Sequence, residues 1–200
     1  MRLPRSFYLR DDVVVIAREL LGKYIVTTFD DRLTSAIITE TEAYAGVFDR
    51  ASHAFGGKCT PRTEVMFRQG GIAYIYLCYG MHSLFNIVTN KEGIPHAVLI
   101  RAIEPVDGID VMEKRLGRNS SVKNFTNGPG KLAKALGIHY RQSGTDLCSD
   151  SADRKESNTW IEERESIPIN GQIRVTTRIG VQYAAEDALL PYRFLLDLIR

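Results

Sequence analysis

Between Ile38 and Tyr44 the chain reads Ile-Thr-Glu-Thr-Glu-Ala-Tyr, an alternating strand pattern that carries two carboxylates. Residues two apart on a strand point the same way. The spacing therefore predicts Ile38, Glu40, Glu42 and Tyr44 on one face, with Ile37, Thr39, Thr41 and Ala43 on the other. Acidic residues are depleted in strands, and two of them side by side repel. No stability comes from that arrangement. An aromatic ring follows Glu42 by two residues, and a glycine-containing loop then carries His53. These residues would make a pocket wall with a base and flat surfaces; an edge strand with a solvated acidic face is the other reading, and the strand alone leaves both open.

The remaining composition narrows the classes. At 200 residues, 44% hydrophobic and 25% charged, the chain suits one large globular domain or two very small ones. No apolar run approaches the ~20 residues of a membrane span, and the opening MRLPRSFYLRDD lacks the apolar core of a secretion signal. Cys59, Cys78 and Cys148 are odd in number and far apart, which suggests neither a disulfide framework nor a Cys-x-x-Cys metal site. A reducing cytoplasm is the default expectation. His53, His82, His96 and His139 have no metal-ligand spacing, so no metal is expected. Net charge is only +2, but Arg50 to Arg141 holds 13 Lys and Arg against 6 Asp and Glu. A basic middle between acidic ends suits a nucleic-acid face as well as a solvated surface.

In chain order, Asp11 or Asp12 predicts the cap of a helix running to about Leu21 and ending at Gly22. Tyr24–Phe29 and Leu33–Tyr44 read as a hairpin around a polar turn, followed by a loop from Ala45 to about Arg62 and a helical turn at Glu64–Arg68. Ile72–Cys78 and Leu84–Val88 form a second hairpin whose connection contains Tyr79-Gly80-Met81-His82. Asn, Asp and Gly dominate solvent-facing tips; an exposed aromatic and a methionine there suggest a tip that enters something, unless Tyr79 folds back onto the domain. Ala97–Ile103 is a third strand in which Arg101 shares a face with Leu99 and Ile103, and a guanidinium there needs an anionic partner. A turn at Pro105–Gly108 leads to a helix at Ile109–Leu116, then a polar loop over Gly117–Gly128. Gly128-Pro129-Gly130-Lys131-Leu132 opens a short helix ending near Gly137. Its free N–H groups, with Lys131, suit a phosphate, although Leu132 stands where a Walker A loop needs Ser or Thr. Arg141–Asn158 reads as a long acidic loop, and Trp160–Ile161, Ile173–Val181 and Tyr192–Leu196 as closing strands.

Glu42-Ala43-Tyr44, His53, Thr60-Pro61-Arg62, Tyr76-Leu77-Cys78-Tyr79-Gly80-Met81, Asn86, Arg101 and Gly128-Pro129-Gly130-Lys131-Leu132 occur in one order and spacing. In this combination the chain resembles the alkyladenine (3-methyladenine) DNA glycosylase family, from about Leu20 to Arg193. The resemblance implies one α+β domain over residues 1–200, with a curved, mostly antiparallel sheet, a protruding β-hairpin and surrounding helices. It implies an enzyme that flips damaged purines out of duplex DNA and hydrolyses the N-glycosidic bond. Tyr79 would fill the vacated stack from the minor groove with Met81 beside it, while Tyr44, His53 and Tyr76 hold the base. The backbone of Ala51 and His53 would read the base edge. Asn86 would stand where a guanine amino group must fit.

By the same resemblance, Glu42 activates water, Arg101 helps hold that water and a phosphate, and a backbone carbonyl near Ile179 completes the water site. Arg62, Gly130 and Lys131 would bind phosphates. No lysine matches a Schiff-base nucleophile, so a monofunctional, cofactor-free monomer acting on double-stranded DNA and away from membranes is expected. Glu40 is a second negative charge beside Glu42. Thr63 stands where many relatives carry Asn, and His82 where some carry Tyr, which bears on DNA affinity and lesion range; the long N-terminal extension of some relatives is not expected. A non-catalytic nucleic-acid-binding module of related fold is the alternative, and Glu42 with Arg101 discriminates against it, because binding alone requires neither.

Overall fold

The computed structural model describes residues 1–121, 125–149, 158–164 and 171–198. Its elements are α1 (Arg5–Tyr8), α2 (Val13–Glu19), β1 (Tyr24–Phe29), β2 (Arg32–Tyr44), β3 (Ala73–Cys78), β4 (His82–Thr89), β5 (His96–Asp107), α3 (Ile109–Leu116), α4 (Pro129–Leu136), β6 (Asn158–Glu162), β7 (Gly171–Thr176) and β8 (Arg193–Leu198). The fold is α+β. One open sheet runs in the order β3-β4-β5-β2-β1-β6, and β8 joins it by pairing with both β2 and β7. Every pairing between these strands is antiparallel.

Local chemistry sets several boundaries as the sequence suggested. Asp12 caps α2, its Oδ1 accepting from the backbone of Val14 at 2.8 Å and Val15 at 3.0 Å. Asp30 and Asp31 both take positive φ, and the β1–β2 turn closes tightly on them. Pro129 opens α4 and Gly137 ends it in the left-handed conformation. Of the loops expected over Gly117–Gly128 and Arg141–Asn158, residues 122–124 and 150–157 lie outside the described residues.

β2 sits at the centre of the sheet. β5 runs along one side; on the other, β1 covers Arg32–Ile37 and β8 covers Glu40–Glu42. Where β2 changes neighbour, its register with β5 breaks. Ile38 lies opposite Ile103, but Glu40 is opposite Ala102 and Thr41 opposite Ile100. Thr39 is thus an extra residue on β2, and Arg101 an extra residue on β5. This corrects the expected faces. Ala36 and Ile38 point into the main core, and so does Ala43, five residues on from Ile38. Ile38 therefore does not share a face with Glu42 and Tyr44. Ile103 likewise turns into the core with Ile100 and Val98, away from the face that Leu99 and Arg101 share. A bulge does this by placing two residues of one strand against one of the other.

The main core lies between the sheet and the helices, where Ile16 and Leu20 from the α2 side and Leu132 and Leu136 of α4 pack with Ile38, Phe85, Ile87, Val98 and Ile100. On the opposite face a smaller cluster of Met66, Ile72, Tyr74, Val88 and Ala97 supports Tyr76. Two expected boundaries move. β5 continues through Pro105 to Asp107 instead of turning there, because Pro105 sits beside a register irregularity at Val106 of β5, where a missing N–H is tolerated. The strand expected over Ile173–Val181 stops at Thr176, since Arg178 turns into a buried ion pair and Gly180 takes a φ of 78°.

Candidate active site

The face opposite the main core carries a cavity of about 510 Å³. Strand alternation supplies its wall: Tyr74 and Tyr76 from β3, Leu84 and Asn86 from β4, Ala97, Leu99 and Arg101 from β5, and Tyr44 from β2. Ala51, Ser52 and His53 come from the loop after β2; Ile179, Gly180, Val181 and Tyr183 close the far side. Most residues singled out in the sequence thus meet in one place.

Glu42 lies beneath this cavity and is fully buried. Three donors converge on its carboxylate. Oε1 accepts from the backbone N–H of Ile179 at 2.7 Å; Oε2 accepts from the Tyr44 hydroxyl at 2.8 Å and from Arg101 Nη1 at 3.2 Å. All three donors line the cavity. Ile179 therefore meets Glu42 through its amide. Glu40, the second carboxylate, is not a bare charge beside Glu42: Arg101 Nε donates to it at 3.1 Å and Arg193 Nε at 2.6 Å. Arg101 bridges the two acids, which gives its guanidinium the anionic partners that the sequence demanded.

The aromatic side is as ordered. The His53 and Tyr76 rings meet edge to face with centres 4.6 Å apart, and His53 Nδ1 is 2.9 Å from the Tyr74 hydroxyl. Burial, helped by nearby Arg62, pushes His53 down from 6.5 to about 4, so the ring is neutral at pH 7. Burial and then the Glu42 charge raise the Tyr44 hydroxyl well above its ordinary value, which keeps it a donor. Asn86 spends its amide N–H groups on the carbonyls of Tyr74 (3.1 Å) and Leu84 (3.2 Å), fixing the side chain in the wall. The Ala51 N–H donates to Asp49 at 3.0 Å, and its carbonyl accepts from the Tyr183 hydroxyl at 3.1 Å.

Tyr79 stands at the cavity rim, 87% exposed, with Met81 71% exposed beside it. Tyr79 does not fold back onto the protein. It holds a positive φ of 52°, followed by Gly80 at 71°, and Met81 N–H closes the turn onto Cys78. Near this tip, α4 begins. Gly130 packs so closely on the His82 ring that an added Cβ would lie 3.1 Å from it, and Gly128 N–H donates to the Arg101 carbonyl at 3.0 Å. Lys131 is exposed on the first turn. Thr63 is buried and binds its own loop, its hydroxyl donating to the Lys58 carbonyl at 2.8 Å.

Residues 6–198 match the family model described as methylpurine-DNA glycosylase. A protein of Chlamydia felis named "Putative 3-methyladenine DNA glycosylase" is 46% identical over 197 residues, 98% of this chain and 96% of its own. Proteins of the same name from Desulfitobacterium hafniense and Bacillus thuringiensis are each 44% identical, over 98% and 97% of this chain and 95% of theirs. The chain belongs to the methylpurine-DNA glycosylase family.

Family motifs carried most of the site, yet the glycosylase fold adds residues that the sequence did not flag. Arg178 is buried against Asp49, with contacts at 2.5 and 2.9 Å, and also donates to the carbonyls of Ala43 and Asp187. Its guanidinium lies 4.9 Å from the Tyr44 ring centre and 5.3 Å from that of Tyr192. Tyr183 lies in the turns over Gln182–Leu189, where no sequence motif marks it. The only sequence signal for Arg178 is a charge inside the expected closing strand, a signal that Arg174 shares. Among the described residues, no group of three or more His, Cys, Asp or Glu gathers as metal ligands.

Proposed function

We propose that this chain acts as one DNA glycosylase domain in base-excision repair, hydrolysing the N-glycosidic bond of alkylated or deaminated purines. The observation that carries this reading is the buried Glu42 carboxylate, whose three hydrogen-bond donors all line an aromatic cavity with an exposed Tyr79 at its rim. A carboxylate offers about four lone-pair directions. Three are used, and one is left for a water.

In this reading Tyr79 enters the minor groove with Met81 beside it and fills the gap left by the flipped nucleotide. The purine lies among Tyr44, His53 and Tyr76, and stacking of this kind is worth ~1–3 kcal/mol per base. The backbone of Ala51 and His53 reads the base edge, and Asn86 takes the space that a guanine amino group would need. Gly130 and Lys131 hold a phosphate at the start of α4. Glu42 takes a proton from the attacking water while its charge stabilises the oxocarbenium-like sugar. Arg101 and the Ile179 carbonyl position that water. The substrates are 3-methyladenine, ethenoadenine and hypoxanthine types in double-stranded DNA. The protein works as a monomer, in the compartment that holds the DNA and without a cofactor.

Single-turnover base release from duplexes holding each lesion tests this. Glu42→Gln is expected to lower the rate by at least ~10²-fold, the typical scale of general-base catalysis, with duplex affinity kept. Full activity in that variant removes Glu42 from its role, and no release by the wild-type protein from any lesion favours a binding module. Borohydride trapping of an enzyme–DNA adduct would contradict the water mechanism.

A further inference from the structure

The charges around the cavity nearly all cancel. Arg101 and Arg193 meet Glu40 and Glu42, and Arg178 meets Asp49. Arg62 is different. Its guanidinium carbon lies 5.0 Å from the centre of the Tyr76 ring, and both residues line the cavity. Among the described residues, no carboxylate pairs with it.

We propose that Arg62 is a specificity-determining residue that biases the cavity toward neutral purine lesions over cationic, N-alkylated ones. The inference rests on the function proposed above and goes beyond it by ranking the substrate classes. An aromatic face attracts cations through its ring quadrupole. At Tyr76 that attraction is already taken by Arg62, so a cationic base meets a like charge beside the ring. Arg62 is itself exposed, so solvent screens part of that repulsion and the bias is modest. A neutral base meets no such penalty. When its C–N bond breaks, the electron pair leaves with the base, and a cation at its edge stabilises the developing negative charge. His53 does not duplicate this effect, because it is itself held neutral.

The test uses duplexes holding either hypoxanthine or its cationic N7-methyl derivative, with spontaneous depurination subtracted. Single-turnover release is compared for the wild-type protein, Arg62→Gln and Arg62→Lys. Arg62→Gln is expected to slow hypoxanthine release roughly two- to fivefold relative to release of the N7-methyl base, the scale of one exposed cation–ring contact. Arg62→Lys is expected to keep most of the wild-type ratio. Equal losses on both substrates, with the salt dependence of duplex binding reduced by about one ion, would mean that Arg62 only holds a phosphate and would overturn the proposal. An unchanged ratio at full rate would overturn it too. If the wild-type protein released neither base, the fault would lie with the glycosylase reading itself.

Discussion

His53 shows how one buried side chain ties the site to solution conditions. Its folded-state value of about 4 lies below the ordinary 6.5. The unfolded chain therefore binds the proton first as pH falls. The stability that comes from keeping this ring neutral is complete above about pH 6.5 and is lost progressively down to about pH 4. His96 is shifted the same way by burial and adds to the slope. Chemical denaturation across that window, wild type against His53→Gln, is expected to show a shallower loss in the variant; an NMR titration placing His53 near 6.5 would contradict it. That Glu42, Tyr44 and Arg101 belong to one site was legible in the sequence, because charged residues inside strands need a reason. The sharing of Arg101 between two acids was not, since it depends on a one-residue register slip that alternation cannot reveal.

Among the elements, the β3–β4 hairpin places the aromatic tip against local preference. A bulky residue at positive φ is strained, at a cost of about 1–3 kcal/mol, and Tyr79 occupies that conformation while almost fully exposed. Asn tolerates the same geometry. Tyr79→Asn is therefore expected to leave the melting temperature unchanged or raise it, while weakening nucleotide flipping as read by a fluorescent base; salt-sensitive duplex affinity should persist. A large loss of thermal stability would mean that the ring supports the fold. Helix boundaries were legible from Asp12, Pro129 and Gly137, each of which acts on its own neighbours. The end of β7 and the turns over Gln182–Leu189 were not, because they are set by Asp49, which lies 129 residues from Arg178 in the chain.

Across the whole molecule, that same ion pair joins the loop after β2, the central strand and the segment leading into β8 into one wall around the cavity. Removing one partner of a buried pair leaves the other charge uncompensated, typically costing about 3–5 kcal/mol. Asp49→Asn is expected to lower the melting temperature by roughly 10 °C for a chain of this size, and an unchanged transition would show the wall to be held elsewhere. Among the described residues no helix is long and apolar enough to cross a membrane. The doubled irregularity at Thr39 and Arg101 has a final consequence. Between Ile38 and Thr41 each strand carries one surplus position, and the two offset each other like matched steps in a staircase. Shortening either strand by one residue would shift every later rung between β2 and β5, rotating Tyr44 or Leu99 toward the helices. Lengths along this seam can therefore change only in concert.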